Sequence, residues 1–164
     1  DLTREITTAA GLPAYEISNH ARIGEESRHN LTYWRYGDYA GIGPGAHGRR
    51  SGKATMRHKK PENWLAALEG QGHGIVESRS LGLSEQASEA LLMGLRLAEG
   101  IDLAALSARF GIAPDALIDA ARLQFFESQG LVSRKGDRII VSEAGMPLLD
   151  GLLGELVPAE LVTA

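Results

Sequence analysis

The chain has 164 residues, 43% hydrophobic and 23% charged, and a formal net charge of −4. That is room for one good core or two small ones. It contains no cysteine, which excludes disulfides, thiolate-held zinc and cysteine-bound iron–sulfur clusters on these residues.

In chain order, Leu2, Ile6, Ala9 and Ala10 share one helical face, and Gly11 followed by Pro13 predicts a stop. Ala14 to Ser18 reads as a short strand, followed by a polar loop to Ser27. His29 to Tyr36 suits a short helical turn or coil equally. Tyr39 to Ile42 reads as a strand entering a turn at Gly43-Pro44-Gly45. Ser51-Gly52 lies between two extended pieces of Arg49 to Arg57, a hairpin pattern. Pro61 opens a helix at a position where its missing donor costs nothing. That helix carries Trp64, Leu65 and Leu68 and stops at Gly70; Ile75 to Ser78 follows as a weak strand.

The texture changes beyond the Gln71-Gly72-His73-Gly74 run. A helix from Ser84 carries Ala87, Leu91, Leu95 and Ala98 at helical spacing and ends at Gly100. Asp102 can cap a second helix holding Leu103, Leu106 and Phe110, closed by Gly111. Pro114 starts a third, through Leu117, Ile118, Ala121, Phe125 and Phe126 to Gly130. Lys135-Gly136-Asp137 sits at the centre of a hairpin, and Ser142 can cap a last helix through Leu148, Leu149, Leu152 and Leu156. The order helix, helix, helix, hairpin, helix is that of a winged-helix-like module. The division expected is 1–78 and 79–164. The first part holds ten Lys+Arg against nine Asp+Glu and the second seven against twelve. An acidic module whose candidate reading helix carries Asp115, Asp119 and Glu127 against Arg122 repels phosphates, so no nucleic-acid partner is expected.

No apolar run approaches the roughly 18–20 residues of a membrane helix, and no signal pattern opens the chain, so the expected location is cytoplasmic. The opening DLTREITTAAG reads like a helix already under way, which suggests the C-terminal part of a longer protein.

Candidate chemistry concentrates between Tyr15 and Gly48, where His20, His29 and His47 mix with Tyr15, Tyr33, Tyr36, Tyr39 and Trp34. If helical, His29 and Tyr33 share a face. Imidazole ligates transition metals, and flat side chains suit a flat apolar ligand such as a porphyrin. The competing reading is a hydrogen-bonded histidine ordering a loop while Trp34 packs in a core. Gly41, Gly43, Gly45 and Gly48 leave backbone that a ligand can approach closely, or simply make a tight turn. Glu16 with Glu25 or Glu26 is an acid–base option, weakened by the polar loop around the latter two.

YEISNHARIGEESRHNLTYW followed by GDYAGIGPGAHG resembles the HemW-type family, relatives of oxygen-independent coproporphyrinogen oxidase in the radical S-adenosylmethionine superfamily. LSEQASEALLMGLRLAEGIDLAAL and SEAGMPLLD resemble that family's C-terminal domain. The resemblance implies an α+β fold: the C-terminal remnant of a partial (β/α) radical SAM barrel, then a mainly helical winged-helix-like domain. It implies haem binding by His29, Asn30, Tyr33 and Trp34, with His29 as the metal ligand. A cofactor-side wall would be formed by Gly41, Gly43, Gly45, Ala46 and His47. His20 stands where the family pattern has an aromatic residue, and Ser142 where it has threonine. The implied cofactors are haem and, in the intact parent, a 4Fe–4S cluster and S-adenosylmethionine. The cluster's cysteines are absent here, so no catalytic residue is assigned and these residues alone are expected to be inactive. The implied partners are haem or a porphyrin and a haem-acceptor protein, with membrane contact only through that acceptor. Two alternatives are oxidative decarboxylation of coproporphyrinogen and a stand-alone winged-helix interaction module.

Overall fold

The computed structural model describes residues 2–159 and 161. Helix α1 (Leu2–Ala9) has no buried residue, and its apolar Leu2 and Ile6 face outward. Gly11 ends the turn at a φ of 76°. Helix α2 (Arg28–Trp34) forms because the Ser27 hydroxyl accepts from the Asn30 N–H, satisfying one of the open donors of the first turn. The extended pieces expected at 14–18 and 39–42 are not strands. Single bridges pair Ala14 with His20, Glu16 with Leu97 and Tyr39 with Arg49, too few for a ladder.

By compactness the chain forms two units. One contains the residues up to Tyr36 together with those from Leu83 onward; the other is Gly37–Gly82. The 1–78 and 79–164 division expected from composition does not follow these units. Its first segment donates structure to the second: the Ala98 N–H bonds the Tyr15 carbonyl, and Tyr36 is 8% exposed within the core of the first unit.

The Gly37–Gly82 unit is an antiparallel sheet with one helix. Strands β1 (His47–Arg50), β2 (Lys53–Arg57) and β3 (Ile75–Ser80) lie in the order β1-β2-β3. Ser51 and Gly52, both with positive φ, make the β1–β2 turn, as the Ser-Gly pair predicts. Helix α3 (Pro61–Gln71) begins at its proline and is closed by Gly72 in the left-handed region, two residues beyond the stop expected at Gly70. Gly74 has no room for a side chain, because a Cβ there would lie 2.1 Å from the Trp64 ring.

In the other unit, α4 (Leu83–Gly94) buries Ala87, Ala90 and Leu91. The short strand β4 (Ile101–Asp102) is followed by α5 (Leu103–Phe110), with Asp102 capping the Ala105 N–H and Gly111 closing at positive φ. The third helix expected from Pro114 is two helices, α6 (Pro114–Leu117) and α7 (Ala120–Ser128). Ile118 is extended (φ −144°, ψ 140°), and Asp119 caps anew on the Arg122 N–H. The Asp119 N–H in turn bonds the Leu156 carbonyl. A local cap and a tertiary bond together override the continuous helical pattern. Strands β5 (Val132–Lys135) and β6 (Arg138–Val141) form the expected hairpin, and β4 joins it in the order β4-β6-β5. Ser142 accepts from the Gly145 N–H, and a 3-10 turn at Met146–Leu148 leads into α8 (Leu149–Leu156). Leu91, Leu95, Leu117, Leu123, Ile139, Leu149 and Leu156 form the innermost layer, each at most 1% exposed.

Two glycines separate conformational strain from steric exclusion. Gly100 has a φ of 66°, and a Cβ there would lie 2.0 Å from the Ile139 carbonyl oxygen; Gly111 has a φ of 67° and open space. Gly111→Ala is expected to cost about 1 kcal/mol from backbone strain alone. Gly100→Ala is expected to cost about 3 kcal/mol or more, because β4 must also move off β6. Denaturant midpoints of the two variants check the difference.

Candidate functional site

Helix α2 carries the four residues expected to bind haem, and the fold divides them between two surroundings. His29 is exposed, and its ring meets Tyr33 edge-on with centroids 5.7 Å apart. One helical turn separates them, which puts them on one face. Asn30 is partly buried and donates to the Tyr15 hydroxyl at 3.0 Å, so its amide fixes the helix to the segment before it. Trp34 packs 4.8 Å from Tyr33 but turns inward, beneath the Arg96 guanidinium at 5.9 Å from its ring centre. Its Nε1 is buried without a hydrogen-bond partner.

The next two residues tie this helix to the helical half of the same unit. Arg35 donates from Nε and Nη2 to the two carboxylate oxygens of Glu99, each at 2.8 Å. The Tyr36 hydroxyl donates to Glu89 at 2.7 Å, and its carbonyl accepts from Arg109 Nη2 at 2.7 Å. The bidentate bond from Arg35 holds the Glu99 carboxyl below the usual carboxylate range, with partial burial opposing it. The same bond raises the Arg35 guanidinium above its ordinary value. Trp34, Arg35 and Glu99 border a cavity of about 270 Å³ floored by Gly94, Leu97 and Leu106. His29 does not line it.

His20 is engaged elsewhere in the unit that holds His29. His20 Nδ1 shares a 2.8 Å hydrogen bond with the Thr7 hydroxyl, and His47 begins β1 in the Gly37–Gly82 unit. Among the described residues no group of three histidine, aspartate or glutamate side chains is placed to hold a metal ion. Glu16 is 1% exposed; one of its oxygens accepts from the Asn19 amide and the other has no partner. Glu25 pairs with Arg22 at the surface and Glu26 accepts from the Gly24 N–H. One carboxylate is buried while the other two are engaged in their own loop, so the acid–base pair weighed from the sequence is not formed.

The glycine run has its own structural reasons. A Cβ at Gly41 would lie 2.3 Å from the His47 carbonyl oxygen, and one at Gly48 would lie 2.7 Å from the Thr55 hydroxyl. Gly43 and Gly45 face open space or ordinary contact, but at φ values of 94° and 72°. The tight-turn reading therefore accounts for these glycines without a ligand. Sequence reasoning did not single out Glu99, Arg109 or Arg138 around the cavity. They lie far apart in the chain and carry no motif, so nothing short of the fold brings them together.

Residues 81–148 match the family model of the HemN C-terminal domain. The chain is 33% identical over 150 residues to the heme chaperone HemW of Mycobacterium tuberculosis (strain ATCC 25618 / H37Rv), covering 92% of this chain and 36% of that protein. It is 32% identical over 161 residues to heme chaperone HemW of Escherichia coli (strain K12), covering 95% of this chain and 40% of that protein. The mouse radical S-adenosyl methionine domain-containing protein 1, mitochondrial, is 42% identical over 106 residues, covering 60% of this chain and 24% of that protein. The fold matches that of coproporphyrinogen III oxidase (HemN) from Escherichia coli with a TM-score of 0.71 at 16% identity, over 93% of this chain and 38% of that one. The chain thus spans no more than about two fifths of the length of these proteins.

The Arg35–Glu99 pair makes a signed prediction. Glu99 has a lower pKa folded than unfolded, so its contribution is present above the unfolded carboxylate pKa and lost as pH falls through the lowered folded value. Both side chains are about half exposed, at 54% and 45%, so the contribution expected is ~0.2–1 kcal/mol. Denaturant midpoints measured from about pH 7 down to about pH 3 should fall less steeply for Glu99→Gln than for the unaltered chain.

Proposed function

The chain is HemW/HemN-like, with residues 81–148 a HemN C-terminal domain, and we propose that it belongs to a protein that binds haem and delivers it to acceptor proteins. The single observation carrying this reading is the exposed His29 imidazole braced edge-on by Tyr33 on a capped helix. An imidazole is a known haem-iron ligand and an aromatic ring can pack against a flat macrocycle; these two side chains would offer both. The bacterial relatives' description as heme chaperones supports the same reading.

The residues fit the implied groups unequally. A 4Fe–4S cluster needs thiolates, and the chain has none, so no step is derived through it or through S-adenosylmethionine; both belong to other residues of the intact parent in this reading. For haem, the chain's own contribution is binding and orientation. Ser27 and Asn30 fix the first turn of α2, so the His29 ring is presented from a rigid helix. Tyr33 restricts its rotation, and Trp34 anchors the far end of the helix. Bound haem would supply an iron that an imidazole such as His29 can ligate. In the glycine run, the wall implied for Gly41, Gly43, Gly45, Ala46 and His47 narrows in this proposal to Gly43 and Gly45, because the His47 carbonyl fills the space beside Gly41. Gly43 is the position where a bulky ring system meets open space.

The same reading covers the architecture and setting. Residues 1–78 are taken as the end of a radical SAM barrel with its connecting segment, and 79–164 as the winged-helix-like domain. The β4-β6-β5 sheet beside α5 and α7 supports that name for the second part. The proposed setting is cytoplasmic; no described helix is long and apolar enough to cross a membrane.

Titrating haem into the chain and its His29→Ala form tests the ligand. The expected result is a shifted Soret band for the unaltered chain and an affinity at least about tenfold weaker for the variant, about 1.4 kcal/mol. Equal affinities with identical spectra would reject the assignment.

A further inference from the structure

The cavity beside Trp34 has a charge balance that the haem reading does not use. Its apolar floor includes Leu97, Ile101 and Leu106, and three guanidinium groups stand around it: Arg35, Arg109 and Arg138. Two carboxylates oppose them. Glu99 is saturated by Arg35 through two hydrogen bonds. Asp102 lies 3.9 Å from Arg138, which also donates to the Glu99 carbonyl at 3.2 Å. One positive charge is left over, and it is Arg109. Its guanidinium lies 5.4 Å from the Tyr36 ring centre and 5.0 Å from that of Phe110. It donates once, to the Tyr36 carbonyl, and has no carboxylate partner among the described residues. Of its five N–H donors most remain for an incoming acceptor.

We propose that this cavity is a binding site for a carboxylate on a small apolar body, the carboxylate meeting Arg109 and the body resting on the Leu97–Ile101–Leu106 floor. Arginine is suited to this, since its planar fork matches both oxygens of a carboxylate. Stacking on Tyr36 and Phe110 holds the fork in place before the ligand arrives. At about 270 Å³ the space lies just under the range of ordinary ligand pockets, ~300–1,000 Å³. It takes a fragment and excludes a whole macrocycle. The chemistry has two sources, a free small carboxylate or the propionate arm of a porphyrin whose ring stays outside. The site is separate from His29 and stands if the haem reading fails.

Benzoate is the probe, with benzamide as its neutral isostere. Amide shifts of Gly94, Gly100 and Ala105 in the full chain report occupancy. Benzoate is expected to shift them saturably and benzamide not to. Arg109→Gln is expected to weaken benzoate about tenfold. Glu99→Gln removes an opposing carboxylate and is expected to tighten it about threefold. If Arg109→Gln fails to fold, Glu99→Gln carries the test alone, and unchanged or weaker binding there overturns the site. No saturable shift, equal response to benzamide, or unchanged binding in Arg109→Gln overturns it as well. Displacement of benzoate by a porphyrin with free propionates, but not by its methyl ester, assigns the propionate arm as the source. Benzoate binding without such displacement assigns a free carboxylate.

Discussion

Tyr36 is the residue on which the arrangement of the first unit turns. Among the described residues it is one of two non-glycine residues with positive φ, at 53°, a backbone state that costs an ordinary side chain about 1–2 kcal/mol. Such a state persists only where its surroundings over-determine it. Here they do: the ring is buried against Phe110, the hydroxyl donates to Glu89, and the carbonyl accepts from Arg109. Its neighbours extend the hold, Arg35 to Glu99 and Trp34 beneath Arg96. Three consecutive side chains thus reach separate partners in the segments around α4 and α5. The chain leaves this unit at Gly37, directly after these contacts, and returns to it at Leu83.

Those contacts set the orientation of α2. With Trp34 directed inward at the helix end, His29 lies more than a turn away and faces solvent. The motif that reads as one haem-lining patch in the sequence is therefore two devices in space, an anchor and a presented imidazole with its aromatic brace. In the proposed function α2 displays that imidazole while Trp34 holds the helix end. A histidine enclosed with Trp34 would be a core residue, and the small volume beside that tryptophan would leave no room for a macrocycle.

The fold was legible where local chemistry and tertiary need agree. Pro61 starts α3, Asp102 caps α5, Gly111 closes it, and Lys135-Gly136-Asp137 turns the hairpin, all as their side chains dictate. It was illegible where a distant partner decides. The apolar run from Leu117 to Phe126 fits one helix, but the bond from the Asp119 N–H to the Leu156 carbonyl breaks it. Ala14 to Ser18 alternates like a strand, yet its described bridges are single ones, Ala14 with His20 and Glu16 with Leu97, and no ladder forms. Strand β4, two residues long, is fixed by β6 alone. The candidate site follows the same rule. His29 and Tyr33 meet through spacing along one helix, whereas the arginines around the cavity meet through the fold.

The glycine run shows why a bare-backbone motif is weak evidence by itself. Gly41 and Gly48 exclude a side chain because the chain's own His47 carbonyl and Thr55 hydroxyl occupy the space. A position that lacks a Cβ for that reason gives no ligand an approach. Arg57 donates to the Gly41 carbonyl as well, so that backbone is engaged from two directions. Only where the missing Cβ would face open space, as at Gly43, does bare backbone constitute an accessible surface. The groups here with something to offer a ligand are an exposed imidazole on α2 and, beside an apolar floor, the Arg109 guanidinium, which has no carboxylate partner among the described residues. Neither supplies electrons or a thiolate. In the proposed readings both would hold and orient a ligand.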